Sequence, residues 1–448
     1  MVDVGLIEVG VLLVVVCMWF LRRRDPRLAG VLVVGDLGHS PRMLYHATSL
    51  VQHGWKVRLI GYLHTDLPAS LQCSQVECVL LNDVATWFKN WPRAFFPLVA
   101  LIKVPLTAWS IWYALALRTS PCVLFVQTPP AIPSLLVSRI SAILCGISVI
   151  IDWHNLGYTI LSLKLGAAHP LVKLAEWLER WTGKYAYAHL FVTDAMKRYL
   201  EERWNLSGMK RVLHDRPGPQ FQAIDSEVRD DYRRKFAALL NDQHLHEHRA
   251  LVLTSTSWTP DEDMDMLLRA MSLYNSDAKQ PSSNLPPISL VITGKGPLRS
   301  AYEAKFRQCA ERENWTHVNT TMAWLAVDDY PRLLGCVDVG LSLHTSSSNL
   351  DLPMKVVDML GCHVPVCALN FACLHELIKP DVNGVVFSNA SELATSLTAM
   401  LRSYPHCRAT ELHSCGFLPG TPSCWTENWD LNVLPLLPIV QDPSIVSR

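Results

Sequence analysis

The feature that most constrains the fold is an alternation of short apolar runs with helical patterns, which occurs twice along the chain. The first occurrence opens with an apolar run at residues 30–35 and continues through the turn Gly35-Asp36-Leu37-Gly38. A helical pattern follows at residues 41–54, and a second apolar run lies at residues 56–62. This strand–turn–helix–strand order predicts a doubly wound α/β domain with a parallel sheet.

The remaining strands and helices follow from the same patterns. In the first half, strands are predicted at residues 122–126, 149–151 and 190–193, and a helix at 171–187. In the second half, strands are predicted at residues 251–254, 288–293, 337–343 and 364–369, with helices that start near residues 259–263 and at Met354. Two successive α/β domains predict a cleft at the carboxyl ends of the strands.

A charged, histidine-rich stretch at residues 218–250 separates the two patterns and predicts a connecting segment with one amphipathic helix. The chain of 448 residues is therefore divided into five parts. These are an anchor with a basic flank at 1–24, a Rossmann-like domain at 25–217, the connection at 218–250, a second Rossmann-like domain at 251–405, and a tail at 406–448 with a helix that returns to the first domain.

The N-terminus predicts a single membrane anchor. Residues 4–21 are apolar apart from Glu8, and Arg22, Arg23 and Arg24 follow directly. A run of about 18 residues nearly spans the ~30 Å hydrocarbon layer. A secretory signal peptide would carry its positive charge before the apolar run and a small-residue cleavage site after it. The positive-inside rule then places the body of the protein on the cytosolic side.

Two internal apolar stretches, at residues 95–117 and 132–151, are interrupted by prolines and by Lys103 and Arg139. Neither predicts a clean membrane span. The first is consistent with an interfacial or re-entrant segment or with an ordinary core helix. An interfacial surface of this kind would suit a lipid-linked substrate.

Composition excludes two broad classes of protein and indicates a reducing compartment. Apolar residues make up 50% and charged residues 18% of the chain, and the net charge is +0. A disordered or nucleic-acid-coating protein would be more polar and more charged. The 13 cysteines include no C-x-x-C pair, which favours buried thiols over a metal or redox site.

Two groups of residues in the first half are candidates for chemistry. Asp152-Trp153-His154-Asn155 follows a buried strand, and His154 is able to accept a proton near neutral pH. The alternative is a hydrogen-bonded structural histidine. The glycines of the turn at 35–38 would let a ligand approach the backbone, and the alternative is a tight turn only.

Two groups in the second half suit a nucleotide diphosphate. Gly294-Lys295-Gly296 places a cation and flexible backbone at a strand end. The loop with Ser346, Ser347 and Ser348 leads into a helix start whose N–H groups suit phosphate. Lys355 would add charge, and Asp358 would accept hydrogen bonds from ribose hydroxyls. The alternative is a capped helix with an i,i+3 ion pair.

Acidic residues also occur together at Asp261-Glu262-Asp263, a pattern that metal sites and helix starts share. We favour the helix start, because acidic side chains complement the positive end of the helix dipole. No metal ligands and no cofactor are predicted. Serine-elbow, P-loop and metalloprotease-helix signatures do not occur.

The chain resembles the GT-B glycosyltransferases. The resemblance rests on the pattern Pro353-x-Lys355-x-x-Asp358-x-x-Gly361, which continues with Val364-Pro365-Val366, His375-Glu376-Leu377 and Asn383-Gly384. More narrowly it resembles glycosyltransferase family 33, the chitobiosyldiphosphodolichol β-mannosyltransferases. The matching stretches, which run from about Gly35 to Gly384, are GDLGHSPRMLYHATSL, IDWHNLGYTI, STSWTPDEDMDMLL, VITGKGPLR and LHTSSSNLDLPMKVVDMLG.

The resemblance implies transfer of mannose from GDP-mannose, with inversion, to dolichyl-diphosphate chitobiose through a β-1,4 bond. This is a step in the assembly of the lipid-linked oligosaccharide for N-glycosylation, on the cytosolic face of the endoplasmic reticulum membrane. A complex with other mannosyltransferases of the pathway is a further expectation. The first domain would bind the acceptor and the second the nucleotide sugar.

The resemblance also implies roles for single residues. Donor binding is expected of Ser257, Gly294, Lys295, Gly296, Ser346, Ser347, Ser348, Lys355 and Asp358, and acceptor binding of Gly35, Gly38 and Asn155. An inverting transfer needs one general base. His154 and Asp36 are the two choices, with Asp152 as the group that would orient His154; the alternative is that all three bind sugar hydroxyls.

Three positions depart from the family pattern: His39 replaces an expected Arg, His214 an expected Tyr, and Asp358 the Glu usual in GT-B enzymes. The first departure puts a role for position 39 in doubt, and the last matches this subfamily. Rival functions are a GT-B transferase of lipid-linked sugars with another donor or linkage, an inactive scaffold paralogue, and a lipid-binding protein.

Overall fold

The computed structural model describes residues 24–83, 96–240, 242, 249–259, 262–344, 348–406, 412, 416–418 and 420–438. The chain divides into two compact units, Met1–His214 with Trp429–Arg448, and Asp215–Asn428. The segment predicted as a connection, residues 218–250, belongs to the second unit. The helix Trp425–Asn432 carries the chain from the second unit back into the first.

The first unit is built on a parallel sheet of seven strands in the order β3-β2-β1-β4-β5-β6-β7. The strands are β1 Asp25–Asp36, β2 Lys56–Tyr62, β3 Val76–Leu80, β4 Pro121–Thr128, β5 Ser148–Trp153, β6 Tyr185–Phe191 and β7 Ser207–Val212. The central strands are continuous apolar runs because both faces of a doubly wound sheet are covered. Leu32 in β1 is fully buried, and its truncation to Ala would cost about 2–5 kcal/mol.

The helices of the first unit cover the two faces of the sheet unequally. They are α1 Pro41–Gln52, α2 Phe96–Trp112, α3 Ser134–Cys145, α4 Gly157–Leu165, α5 Pro170–Gly183 and α6 Asp194–Trp204. Strand order reverses between β1 and β4. Right-handed crossovers therefore place α1 on one face and α2–α6 on the other.

The predicted anchor at residues 1–24 lies outside the described residues, except for Arg24. In the part of the chain that the structure describes, no helix is both long enough and apolar enough to cross a bilayer. The apolar stretch at 95–117 forms α2, with Pro105 inside it, followed by a π-helical turn. The stretch at 132–151 forms α3 and then β5.

The second unit contains a parallel sheet of six strands in the order β10-β9-β8-β11-β12-β13. The strands are β8 Ala250–Ser255, β9 Ile288–Thr293, β10 Val318–Ala323, β11 Val339–Ser342, β12 Val366–Leu369 and β13 Gly384–Phe387. The helices are α7 Ser226–Leu239, α8 Met264–Ala278, α9 Arg299–Arg312, α10 Asp329–Gly335, α11 Met354–Gly361 and α12 Ala390–Leu401, and α13 is Trp425–Asn432.

The sequence-predicted strands at 56–62 and 288–293 and the helix start at Met354 are confirmed to the residue. The predicted helix at 171–187 is wrong at its end, because α5 stops at Gly183 and Tyr185 already belongs to β6. A Cβ on Gly183 would lie 2.6 Å from the Trp153 ring, so the helix ends where it packs closely on the sheet.

Candidate functional site

A cavity of about 1060 Å³ lies in the second unit at the carboxyl ends of β8, β9 and β11. Five residues predicted as donor-binding line it: Ser257, Gly294, Lys295, Lys355 and Asp358. Strands that end at one edge of a parallel sheet bring together loops that are distant in the chain. The cavity therefore unites predicted donor-binding residues that are up to 101 positions apart, from Ser257 to Asp358.

The serine-rich loop is described only in part. Ser346 and Ser347 lie outside the described residues. Ser348 donates from Oγ to the Asp351 carboxylate at 3.2 Å, and its hydroxyl accepts from the Leu350 N–H at 3.3 Å. In this arrangement the Ser348 side chain stabilises the turn that leads to α11.

Lys355, on the first turn of α11, carries its charge into the cavity. Its Nζ donates to the Ser255 carbonyl at 2.8 Å and forms an ion pair with Glu262. The other oxygen of Glu262 accepts from the Thr256 hydroxyl. Glu262 is 5% exposed, so a buried carboxylate fixes the position of the ammonium group.

The acidic triplet at 261–263 has divided roles. Asp263 caps α8, because its carboxylate accepts from the Met266 N–H at 2.9 Å. This confirms the predicted helix start. Asp261 lies outside the described residues, and Glu262 belongs to the cavity. The position of Glu262 in the cavity was not predicted, because an acidic residue before a helix usually lies in solvent.

Gly294 and Gly296 allow two loops to pack backbone against backbone. Gly294 has φ +138°, and a Cβ there would lie 1.8 Å from the Thr256 carbonyl oxygen. A Cβ on Gly296 would lie 1.8 Å from the Ser257 carbonyl oxygen. Only glycine fits at either position. Gly296 does not line the cavity, so its contribution is to hold the β8 and β9 loops together.

Two further groups set the electrostatics of the cavity. Lys295 lies with Nζ 4.1 Å from the centre of the Trp324 ring, within cation–π range. Burial, and then the Asp215 carboxylate, raise the pKa of Asp358 to about 7. Three cationic side chains, Lys295, Arg332 and Lys355, line the cavity beside this weakly acidic carboxyl group. The combination suits a diphosphate joined to a polyhydroxylated sugar.

A second cluster lies in the first unit around Asp152, at the end of β5. Arg42 donates to both carboxylate oxygens, at 2.8 and 2.9 Å. His46 and His154 each place Nε2 against the same carboxylate, at 3.1 and 2.9 Å. Burial opposes ionisation, but the charge on Arg42 and the histidine hydrogen bonds hold the pKa of Asp152 well below its usual range. Asp152 is therefore an ionised acceptor.

These contacts determine which ring nitrogens carry protons. Trp429 donates from Nε1 to Nδ1 of His46 at 2.9 Å, so the proton of His46 is on Nε2 and faces Asp152. Burial lowers the pKa of His46, which keeps it neutral. Because Asp152 accepts from Nε2 of His154, the Nδ1 lone pair of His154 is the basic position. An ionised carboxylate behind it stabilises the imidazolium that would form.

Asp36, the other predicted base, is surrounded by donors at the end of β1. It accepts from the Thr65 hydroxyl at 2.8 Å, the His64 N–H at 2.9 Å and the His39 ring at 2.5 Å. Burial is opposed by these bonds, which hold the pKa of Asp36 well below its usual range. β1 and β5 lie two strands apart, about 10 Å, so the structure does not join Asp36 to the Asp152 cluster.

The predicted acceptor-binding residues Gly35, Gly38 and Asn155 differ in how closely the surrounding chain packs against them. A Cβ on Gly38 would lie 2.7 Å from the Thr65 carbonyl oxygen, whereas one on Gly35 would meet only Val33 at 3.5 Å. Asn155 accepts from the Leu156 N–H at 2.7 Å. The segment after it is capped by Glu179, which accepts from the N–H groups at the start of α4.

Four side chains that complete these clusters were not predicted: Arg42, His46, Glu179 and Glu262. All four are 5% exposed or less. Arg42 and His46 are four residues apart on the apolar face of α1, a pattern that indicates a buried polar contact. Across the described ranges, no three His, Cys, Asp or Glu side chains are placed to hold a metal ion.

Comparison with known proteins matches both units. Residues 38–214 match the glycosyl transferase 4-like domain, and residues 248–403 match the glycosyl transferases group 1. Anabaena HepE, solved with UDP and glucose, aligns with a TM-score of 0.56 at 14% identity, over 91% of this chain and 96% of that one. Sucrose-phosphate synthase from Thermosynechococcus elongatus aligns with a TM-score of 0.58 at 13% identity, over 92% and 94%.

These matches, with two parallel-sheet units and a cavity at the strand ends of the second, define a glycosyltransferase with the GT-B type of fold. The chain is 37% identical to the human chitobiosyldiphosphodolichol β-mannosyltransferase, over 93% of this chain and 94% of that protein. The Pongo abelii protein of the same name is 38% identical over the same shares. The chain belongs to the chitobiosyldiphosphodolichol β-mannosyltransferase family. The Arabidopsis thaliana UDP-glycosyltransferase TURAN is 34% identical over 91% of this chain and 97% of that protein.

Proposed function

We propose that this protein transfers one mannose from GDP-mannose, with inversion, to dolichyl-diphosphate chitobiose through a β-1,4 bond. The reaction contributes to the lipid-linked oligosaccharide used in N-glycosylation. The observation that carries this proposal is family membership over nearly the whole chain, at 36–38% identity to several proteins of that name. The match covers both units.

The cavity of the second unit is proposed to bind the nucleotide sugar. Lys355, held by Glu262, and Lys295, beside Trp324, would neutralise the diphosphate as it leaves, so that the protein's own cations supply the charge and no metal is needed. The carboxyl group of Asp358 would bind ribose hydroxyls. Because the pKa of Asp358 is about 7, this group is able to donate as well as accept a hydrogen bond near neutral pH.

His154 is proposed as the general base. Its Nδ1 would take the proton of the acceptor hydroxyl as that oxygen attacks the anomeric carbon from the side opposite the leaving diphosphate. The carbon–oxygen bond to GDP breaks as the new bond forms, which converts an α-linked donor into a β-linked product. Asp152, which lies 2.9 Å behind Nε2, would orient the ring and stabilise its charge.

The N-terminal sequence supports a proposal for where the protein is located in the cell. We propose that residues 4–21 anchor the protein once in the endoplasmic reticulum membrane and that the arginines at 22–24 keep the body cytosolic. Protease added to intact microsomes should then degrade the body. Protection of the body until detergent is added would contradict this orientation. Association with other mannosyltransferases of the pathway is part of the same proposal.

The name of the Arabidopsis relative makes a UDP-sugar donor the rival to test. The experiment offers GDP-mannose, UDP-glucose and UDP-N-acetylglucosamine separately to purified full-length protein with phytanyl-diphosphate chitobiose. We expect a product one mannose heavier from GDP-mannose alone. Transfer from a UDP-sugar alone would overturn the donor assignment, and no transfer by folded protein from any donor would favour an inactive scaffold.

A further inference from the structure

Four helices on one face of the first unit's sheet expose large apolar side chains. These are α2, α3, α4 and α5, which lie on the same face of the sheet and contact one another in the order α2–α3–α5–α4. Leu101, Trp109, Ile143, Leu163 and Trp177 are each more than half exposed. We call the outward side of these four helices the apolar face. So many exposed large apolar side chains on four adjoining helices are unusual on a monomeric soluble protein and indicate a contact surface.

The charges on the apolar face are mainly positive. The only charged residues of α2, α3 and α4 are Lys103, Arg139 and Lys164. α5 adds Lys173, Glu176 and Arg180, while its Glu179 is 1% exposed and turned inward. A surface that combines exposed leucine, isoleucine and tryptophan with lysine and arginine matches the interface of a bilayer with anionic lipids.

Aromatic rings and a cation are arranged together where α3 meets α5. The rings of Trp177 and Trp181 stack with centroids 6.0 Å apart. The Arg139 guanidinium lies 5.2 Å from the Trp181 ring and 4.9 Å from the Tyr185 ring, and it donates to the Trp181 carbonyl. Tryptophan, tyrosine and arginine are the residues enriched at the level of lipid headgroups.

The position of the apolar face agrees with the proposed anchor. Arg24, which follows the anchor directly, donates to the Cys122 carbonyl at 3.0 Å. Its guanidinium lies 3.6 Å from where a Cβ on Gly146 would stand, at the end of α3. The chain therefore enters the first unit beside the exposed end of α3. At the opposite end of the face, α4 begins three residues after His154.

We propose that the apolar face docks on an anionic lipid bilayer, independently of the N-terminal anchor. The first unit would then lie on the membrane along α2–α5, with its entry point and the segment that carries His154 both close to the lipid. If the proposed function is correct, this places the proposed base near a diphosphate that is held at the membrane surface by its lipid tail. Membrane docking itself does not depend on the proposed function.

The test uses the full chain with its anchor disabled by Leu12→Asp and Val15→Asp, so that binding through the face is measured alone. Flotation is compared on phosphatidylcholine vesicles with and without phosphatidylserine. The face variant adds Leu101→Glu, Ile143→Glu and Leu163→Glu. The matched control adds Leu239→Glu, Leu273→Glu and Leu431→Glu, which replace exposed leucines on other helices with the same charge.

We expect binding that increases with phosphatidylserine and that the face variant weakens by roughly tenfold or more, because both apolar contact and charge attraction are lost. The control should bind like its parent. Equal vesicle binding by the face variant and its parent would overturn the proposal. The proposal would also be overturned if the parent did not bind vesicles but sedimented as a dimer, and the face variant sedimented as a monomer. A second copy of the chain would then be the partner of the apolar face.

Transfer assays separate this proposal from the proposed function. With a short-chain acceptor in detergent, the face variant should retain the activity of its parent, whereas with acceptor in vesicles it should lose activity. Vesicle binding without transfer from any donor would leave docking intact and overturn the proposed function. Mannose transfer without vesicle binding would support the proposed function and overturn membrane docking.

Discussion

Asp36 is the last residue of β1 and His154 directly follows β5, but their surroundings give them different chemistry. Asp36 accepts hydrogen bonds from three neighbouring residues, which hold its pKa well below the usual range and make it a weak base. His154 uses Nε2 to contact Asp152 and retains the lone pair of Nδ1. At the scale of single residues, the structure thus favours His154 over Asp36 as the base.

This comparison predicts the result of two substitutions. His154→Ala should lower kcat by about 100- to 10,000-fold, the usual contribution of a general base, with little change in Tm because the side chain is partly exposed. Asp36→Asn should reduce kcat less, since the amide oxygen still accepts hydrogen bonds from the His64 and Thr65 N–H groups. Steady-state kinetics decides: an active His154→Ala variant beside an inactive, folded Asp36→Asn variant would assign the base to Asp36.

Glu179 is a buried carboxylate on α5 that caps α4, the helix next to His154. It accepts from the Gly157 N–H at 3.0 Å and the Tyr158 N–H at 3.2 Å. Burial is the main reason that its pKa rises to about 7 from 4.5. A raised carboxyl pKa means that the folded state keeps a proton that the unfolded state has lost. Its contribution to stability is therefore complete below pH 4.5 and is lost as pH rises through about 7.

The Glu179→Gln variant should show a weaker pH dependence of stability than the wild type. As pH rises from below 4.5 to above 7, the wild type should lose on the order of 3 kcal/mol more than the variant. Asp358 titrates in the same window but is present in both proteins, so the difference isolates Glu179. Thermal unfolding across this pH range measures it; parallel curves would mean that Glu179 does not change protonation there.

At the scale of elements, the sequence predicts central strands and misses edge strands. The four strands without a sequence prediction are β3, β7, β10 and β13, and each lies at an edge of its sheet. Central strands of a parallel sheet are buried on both faces and form continuous apolar runs. Edge strands are short or partly exposed, as in Ser207–Val212 and Val318–Ala323. These two strands have a polar composition that resembles that of loops, whereas β3 and β13 are mainly apolar but only five and four residues long, so pattern alone does not identify any of the four.

The surroundings of Gly294, after β9, and of Gly35, near the end of β1, predict opposite outcomes for substitution by alanine. Gly294→Ala would strain a residue with φ +138° and drive a Cβ into the Thr256 carbonyl, and should cost at least about 2 kcal/mol. Gly35→Ala introduces only an ordinary contact with Val33 at 3.5 Å and should stay within about 0.5 kcal/mol. Chemical unfolding of both variants checks this. Equal stability of the two variants would contradict the account of the β9 loop.

The contact between α13 and α1 is an example of a long-range partner that the sequence alone does not identify. Trp429 on α13 is fully buried and donates to His46 on α1, 383 positions earlier. The sequence predicts a helix that returns to the first domain but not the residue it reaches. Arg42 and His46 escaped prediction for the same reason, since a polar side chain on an apolar helix face is explained only by a partner such as Asp152.

At the scale of the whole molecule, the two units carry separate parts of the chemistry. Five of the residues predicted for the nucleotide sugar lie in one cavity of the second unit, and the first unit holds an ionised carboxylate and a histidine that suits a base. The convergence of these five residues was predictable because strand-end loops of a parallel sheet meet at one edge. The buried partners Glu262, Arg42 and His46 were not predictable. They contact Lys355 or Asp152, which come close to them only in the folded chain.

The central claim is that this chain forms a β-mannosyl bond with a donor held by Lys355. The most direct test incubates full-length protein with GDP-mannose and dolichyl-diphosphate chitobiose, and determines the anomeric configuration of the product by NMR. Lys355→Ala is compared with Lys305→Ala, which removes an exposed lysine of the same unit. The account predicts one β-linked mannose from the wild type and Lys305→Ala, and at least a roughly 100-fold loss for Lys355→Ala. An α-linked product, or full activity in Lys355→Ala, would contradict it.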